Sequence, residues 1–312
     1  MALIGTHRQG WAIVLSAVGL LALAFVPSLA MLPYLVDQSV QRFALFGIVA
    51  LFVASLGGAR SLALTPRNLP RAVREGFYPV GVALALCGAD MLSVLQLVQG
   101  GAGPSPTWVV DLLQVALLSV SVGLYEEALF RVLLLGGLLS RHGRTRSGMA
   151  ASLLISSVVF GIAHVAGTGA LDPLSFLQML LKTAQTSFVG LLLGVVYLRT
   201  RSFAGIVILH ALADFLLMTP TVIGSGVDGL LGSYVSQGDD PLALALAASL
   251  IVTYLLVIAL YAPAAVRSWR LFEELPVLGE GPLDASWAMP GSEGSPSPDL
   301  RSTGRPPRPN GL

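Results

Sequence analysis

Eight ionisable side chains interrupt stretches that are otherwise apolar: Asp90, Glu126, Glu127, Arg131, His164, Lys182, His210 and Asp214. At bilayer depth each costs at least about 2.5 to 3.5 kcal/mol on insertion scales, so each needs a partner or a task. Glu127 stands four residues before Arg131, on one helix face and in the favourable order for an ion pair, so these two can neutralise each other. Glu126 is turned about 100° away and has no partner in its own helix. A carboxylate so placed suits a general base. Phe160 precedes His164 by four residues and limits its rotamers. His210 precedes Asp214 by four, so Asp214 either orients that ring or faces the same cavity beside it. Gln178, Lys182 and Gln185 recur at helical spacing, with Lys182 either lining the cavity of Glu126 or reaching toward the interface. Gly190 and Gly194 form a small-residue pair for close helix contact. Asp90 receives no assignment.

An acid and two imidazoles on separate segments, without a protein nucleophile, point to an activated water. The chain has no His-Glu-x-x-His zinc helix, no Gly-x-Ser arrangement in an apolar run and no Gly-x-Gly-Asp aspartyl signature, so three other intramembrane chemistries lack their residues. Glu126, His164 and His210 also have the donor types of a His2Glu site, and a divalent metal such as zinc is the alternative to metal-free catalysis, which is the preferred reading. Buried acids and histidines are equally a feature of transporters and proton relays, but the internal repeats expected there are not found. A non-catalytic scaffold or immunity protein is the third reading.

The elements that must position these groups are membrane helices. Of the 312 residues 54% are hydrophobic and 11% charged, against about 25% charged in a soluble average, and the mean hydropathy is +0.79. Eight apolar runs are predicted as spans, over residues 11–35, 43–58, 77–97, 108–139, 149–165, 173–198, 203–218 and 242–266. The fold class is therefore all-α, a polytopic membrane bundle of about eight transmembrane helices. The first run is read as an uncleaved anchor, longer than a signal-peptide core. Arginines alternate between loops: Arg60, Arg67, Arg71 and Arg74, then Arg141, Arg144 and Arg146, then Arg199 and Arg201, then Arg267 and Arg270. By the positive-inside rule both termini are cytoplasmic. One cysteine, Cys87, excludes a disulfide framework, and the spread of basic residues excludes a nucleic-acid patch. Lys182 is the only lysine among 18 basic residues, a composition that suggests a bacterial inner membrane.

Four regions are expected: N-terminal transmembrane helices over 1–106, a core over 107–219, a last loop and helix over 220–270, and a disordered cytoplasmic tail over 271–312. From residue 275 onward the chain holds eight of its 19 prolines. The depths conflict, because His210 lies about 14 Å from Arg201 but His164 about 27 Å from Arg146. Levelling them requires tilted helices or a loop that enters the membrane before Met149.

Glu126-Glu127-x-x-x-Arg131, Phe160-x-x-x-His164 and His210-x-x-x-Asp214, in that order, resemble the motifs of the CaaX-protease and bacteriocin-processing enzyme family (CPBP, or Abi), whose type members are prenyl-protein endopeptidases. The resemblance covers roughly residues 108–218. It implies that Glu126 and His164 hold and deprotonate a water, that His210 and Asp214 stabilise the oxyanion, and that the substrate is a membrane-associated protein or peptide. Glu127, Arg131, Phe160 and Lys182 are supporting residues. Asp214 departs from the pattern, since many members carry Asn there. An ionised Asp repels an oxyanion, so Asp214 is either protonated or an orienter of His210.

Overall fold

The structure, a computed structural model, describes residues 7–287 apart from 24, 30, 67, 102, 167, 169–171, 232–234, 280 and 285. The described residues form α1 (Arg8–Ala22), α2 (Tyr34–Ser55), α3 (Leu69–Gln99), α4 (Trp108–His142), α5 (Arg146–Ala163), α6 (Pro173–Thr200), α7 (Phe203–Ser225) and α8 (Pro241–Glu273), with no strand among them. All but α1 are long and apolar enough to cross a membrane. The protein is a multi-pass integral membrane helix bundle, as its hydropathy predicts.

The first two predicted spans differ from the helices found. Predicted span one is divided after Ala22, and α2 starts at Tyr34 behind Pro33 instead of at residue 43. The polar residues that read as a loop are paired inside α2. Asp37 accepts hydrogen bonds from the Ser28 hydroxyl, the Leu29 N–H and the Gln41 amide, while Arg42 donates to Gln38. At 15 residues α1 is about 22 Å long, short of a hydrocarbon core of about 30 Å. Gly19, near its end, lies against Leu129, whereas Leu35 packs with Val115. Those two α4 positions are 14 residues, or about 21 Å, apart, so the connection from α1 to α2 covers the remaining depth.

Helix association in lipid depends on close packing, and small residues sit at the crossings. α7 packs between α3 and α4, α6 between α5 and α8, and α1 along the end of α4. Ala12 occupies the space where a side chain at Gly137 would go. The α5–α6 contact is built the same way: Gly161 meets Thr183 and Ser187, Gly190 meets Ser157 and Phe160, and Gly194 meets Leu153. The expected role of Gly190 and Gly194 is thus found.

The arginines gather at one end of the bundle. Arg71 and Arg199 pair with Glu75 at 3.0 and 2.8 Å, and Arg146 donates to the carbonyls of Phe272 and Leu275. Under this end the chain after α8 is packed, which corrects the expectation of a disordered tail for the part described here. Leu283 and Trp287 are fully buried and Leu278 nearly so. Arg8 pairs with Asp284 at 2.6 Å, and the Ser61 hydroxyl donates to the Pro282 carbonyl. Residues 288–312 lie outside the described residues.

The chain after α8 forms a strap that also meets the α6–α7 turn, where Thr200, Ser202 and Phe203 are buried and Arg201 lies over the Trp287 ring at 4.4 Å, with a hydrogen bond to the Trp287 carbonyl. The two histidines, at unequal distances along the chain from the arginines before them, meet the same Glu126 oxygen at 3.7 Å each.

Candidate active site

The site forms where α4 changes its winding. Residues Ala128–Leu134 make a π-helical segment inside α4, the kind of local rewinding that often marks function. The Phe130 carbonyl accepts from Leu135 N–H, five residues on, and also from the Ser156 hydroxyl of α5 at 2.8 Å. One turn before the segment, Gly123 lets α4 approach α7 closely: a Cβ there would lie 3.0 Å from the Val207 carbonyl oxygen and 3.5 Å from the Ala211 nitrogen. That approach carries Glu126 and Glu127 up to His210.

Four residues singled out in the sequence come together. Glu126 Oε2 lies 3.7 Å from His164 Nε2 and 3.7 Å from His210 Nε2, and His210 Nε2 lies 3.4 Å from Asp214 Oδ2. These distances from Glu126 are too long for a direct hydrogen bond and suit atoms that share one water-sized molecule. His164 Nδ1 is 2.8 Å from the Phe160 carbonyl oxygen. A carbonyl only accepts, so Nδ1 carries the hydrogen and the Nε2 lone pair of a neutral His164 faces Glu126.

Glu127 has two partners, and one of them went unseen in the sequence. Its Oε2 lies 3.1 Å from Arg131 Nε, as the spacing predicts, and its Oε1 lies 2.7 Å from His210 Nδ1. Both members of the ion pair are fully enclosed. The guanidinium also sits 4.2 Å from the Phe160 ring centroid, and its nitrogens make no well-oriented hydrogen bond. Charge and the aromatic face hold it. Phe160 is the common packing surface, edge-on to His164 at 4.6 Å and to His210 at 5.9 Å. The orienting contact on His210 Nδ1 thus belongs to Glu127, while Asp214 meets the other ring nitrogen. No sequence signal distinguishes these, because the Glu127 contact crosses between helices 83 residues apart.

Lys182 lies 5.8 Å from the Tyr254 ring of α8, and its charge acts on Asp214. Gln178 is buried and pairs through its side-chain amide with the backbone of Ser236 at 2.9 and 3.2 Å. Asp90 stands exposed on α3, apart from the site. Glu126, His164 and His210 carry the donor types of a His2Glu metal site, with Glu126 Oε2 3.7 Å from both Nε2 atoms.

Residues 107–216 match the family model described as type II CAAX prenyl endopeptidase Rce1-like. No curated protein and no solved structure matches the chain. The matched segment begins at the N-cap of α4 and ends two residues beyond Asp214, so it holds every residue of the cluster. Through that segment the chain is similar to the type II CAAX prenyl endopeptidases of the Rce1-like family.

Proposed function

We propose that the protein is an endopeptidase that hydrolyses a peptide bond of a membrane-associated protein or peptide with a water held between Glu126 and His164. The carrying observation is that Glu126 Oε2 is equidistant from two imidazole Nε2 atoms whose Nδ1 atoms are already tied, to the Phe160 carbonyl and to Glu127. Glu126 and His164 both accept, so each takes one hydrogen of the same water. Glu126 removes the proton as the water oxygen attacks the carbonyl carbon. The carbonyl electron pair moves to oxygen, which meets a hydrogen on His210 Nε2. Glu126 then returns the proton to the amide nitrogen as the C–N bond breaks, leaving a carboxylic acid and an amine.

His210 Nδ1 is held by Glu127 at 2.7 Å, and in this reading a hydrogen on Nε2 meets the developing oxyanion. Asp214, 3.4 Å from His210 Nε2, orients that ring in the same reading. The reaction so read runs without a metal, and activity that survives a chelator is its check. We place the arginine-rich end at the cytoplasm of a bacterial inner membrane, following the positive-inside rule.

The test uses protein purified in micelles with a candidate membrane peptide. Glu126→Gln and His164→Ala lower the cleavage rate by about 10² to 10⁴-fold, His210→Ala by about 10² to 10³-fold, and Asp90→Asn leaves it unchanged. Cleavage at the parent rate by all three site variants ends the proposal.

A further inference from the structure

Away from the site, at the arginine-rich end, the start of α1 and the turn between α4 and α5 enclose a cleft of about 640 Å³. Its walls include Arg8, Arg141 and Arg144, with Gln9, Ser140 and Ile13. The acid that faces it, Asp284, is engaged by Arg8. Arg141 and Arg144 are exposed and have no ionic partner among the described residues, so the cleft carries two uncompensated positive charges. Above it, Trp11, Val14, Val18 and Leu21 are spaced by three or four residues and all point outward from the bundle, half or more exposed in most cases. They form one apolar stripe on α1, the helix whose Arg8, Gln9 and Ile13 line the cleft. Trp11 has the residue type and position of an interfacial anchor.

A cationic cleft on the helix that carries an exposed apolar stripe matches a ligand with an anionic head and apolar chains. We propose that it binds the phosphate headgroup of an anionic phospholipid, with Arg141 and Arg144 on the phosphate and the acyl chains along the α1 stripe. A free anion would satisfy the arginines alone and make no use of the stripe. The short length of α1 adds to the fit, because lipid beside it reaches the cleft without a long helix intervening.

Full-length protein in micelles is titrated with phosphatidylglycerol, and bound lipid is counted by native mass spectrometry. Arg141→Ala with Arg144→Ala weakens binding by about thirtyfold, and Arg144→Gln alone by about fivefold, at roughly 1 kcal/mol per arginine. Arg74→Ala with Arg270→Ala, at the same end but outside the cleft, leaves binding unchanged. Phosphatidylcholine binds no more tightly to the parent than to the double variant. The proposal is overturned if either cleft variant binds phosphatidylglycerol like the parent. It also falls if the Arg74 and Arg270 pair loses as much as the cleft pair, or if millimolar inorganic phosphate displaces the lipid. The Arg144→Gln change is on an exposed turn, so it reports even where the double variant unfolds.

Discussion

The enclosed Glu127–Arg131 pair makes a prediction about stability that can be separated from activity. Glu127→Gln keeps an oxygen that can accept from His210 Nδ1, now 2.7 Å away, but leaves the Arg131 guanidinium without an anion. Arg131→Met keeps a long side chain on the Phe160 ring, where the guanidinium now sits at 4.2 Å, and leaves Glu127 with His210 alone. Removing one partner of a buried pair costs about 3 to 5 kcal/mol, whereas replacing both by neutral groups is often nearly neutral. Each single variant is therefore less stable by about 3 to 5 kcal/mol, a large share of the 5 to 15 kcal/mol typical of a domain. The double variant loses less than either single one. Unfolding in mixed micelles, followed by tryptophan fluorescence, gives the cycle. A coupling energy of at least about 2 kcal/mol is expected. If the two losses simply add, the pair is not the unit described here, and the charge of Arg131 is compensated elsewhere.

The remaining predictions concern packing and capping. Gly123→Leu puts a side chain against the Val207 carbonyl, separates α4 from α7 and lowers cleavage at least about tenfold, by the sensitivity of reacting geometry to small displacements, while Gly47→Leu, in open space on α2, does not. Trp287→Ala removes a fully buried ring from beneath Tyr197 and costs about 3 to 5 kcal/mol, read as a lower unfolding midpoint. Asp172 caps α6, and its carboxyl is held below the ordinary aspartate range, first of all by the Ser175 N–H. Its contribution is therefore present above the pKa of the unfolded chain and fades as pH falls through the lower folded value. Asp172→Asn keeps a good cap and flattens this acid limb of the stability profile, whereas Asp172→Ala lowers stability at neutral pH as well.

Much of the site was legible because ionisable groups are conspicuous in apolar helices. Glu126, Glu127, His164, His210 and Asp214 stand out by type, and Phe160 and Arg131 follow from helix geometry as the i to i+4 neighbours of His164 and Glu127. What stayed hidden depends on how helices meet. Nothing along α4 announces that its winding changes at Ala128, and the Glu127 contact to His210 exists only once Gly123 has let α7 approach. The strap was hidden for a different reason. Leu278, Leu283 and Trp287 are isolated among proline, glycine and acidic residues, with no period of 2 or 3.6 to betray a buried face. The early start of α2 was masked by polar residues whose partners lie in the preceding loop.

Arg8 and Asp284 touch although 276 residues separate them. Helices inserted one by one during synthesis reach their places long before Asp284 leaves the ribosome, so the arginine-rich end stays unfinished until the strap has been made. α1 then waits for the strap, and damage to either loosens the other.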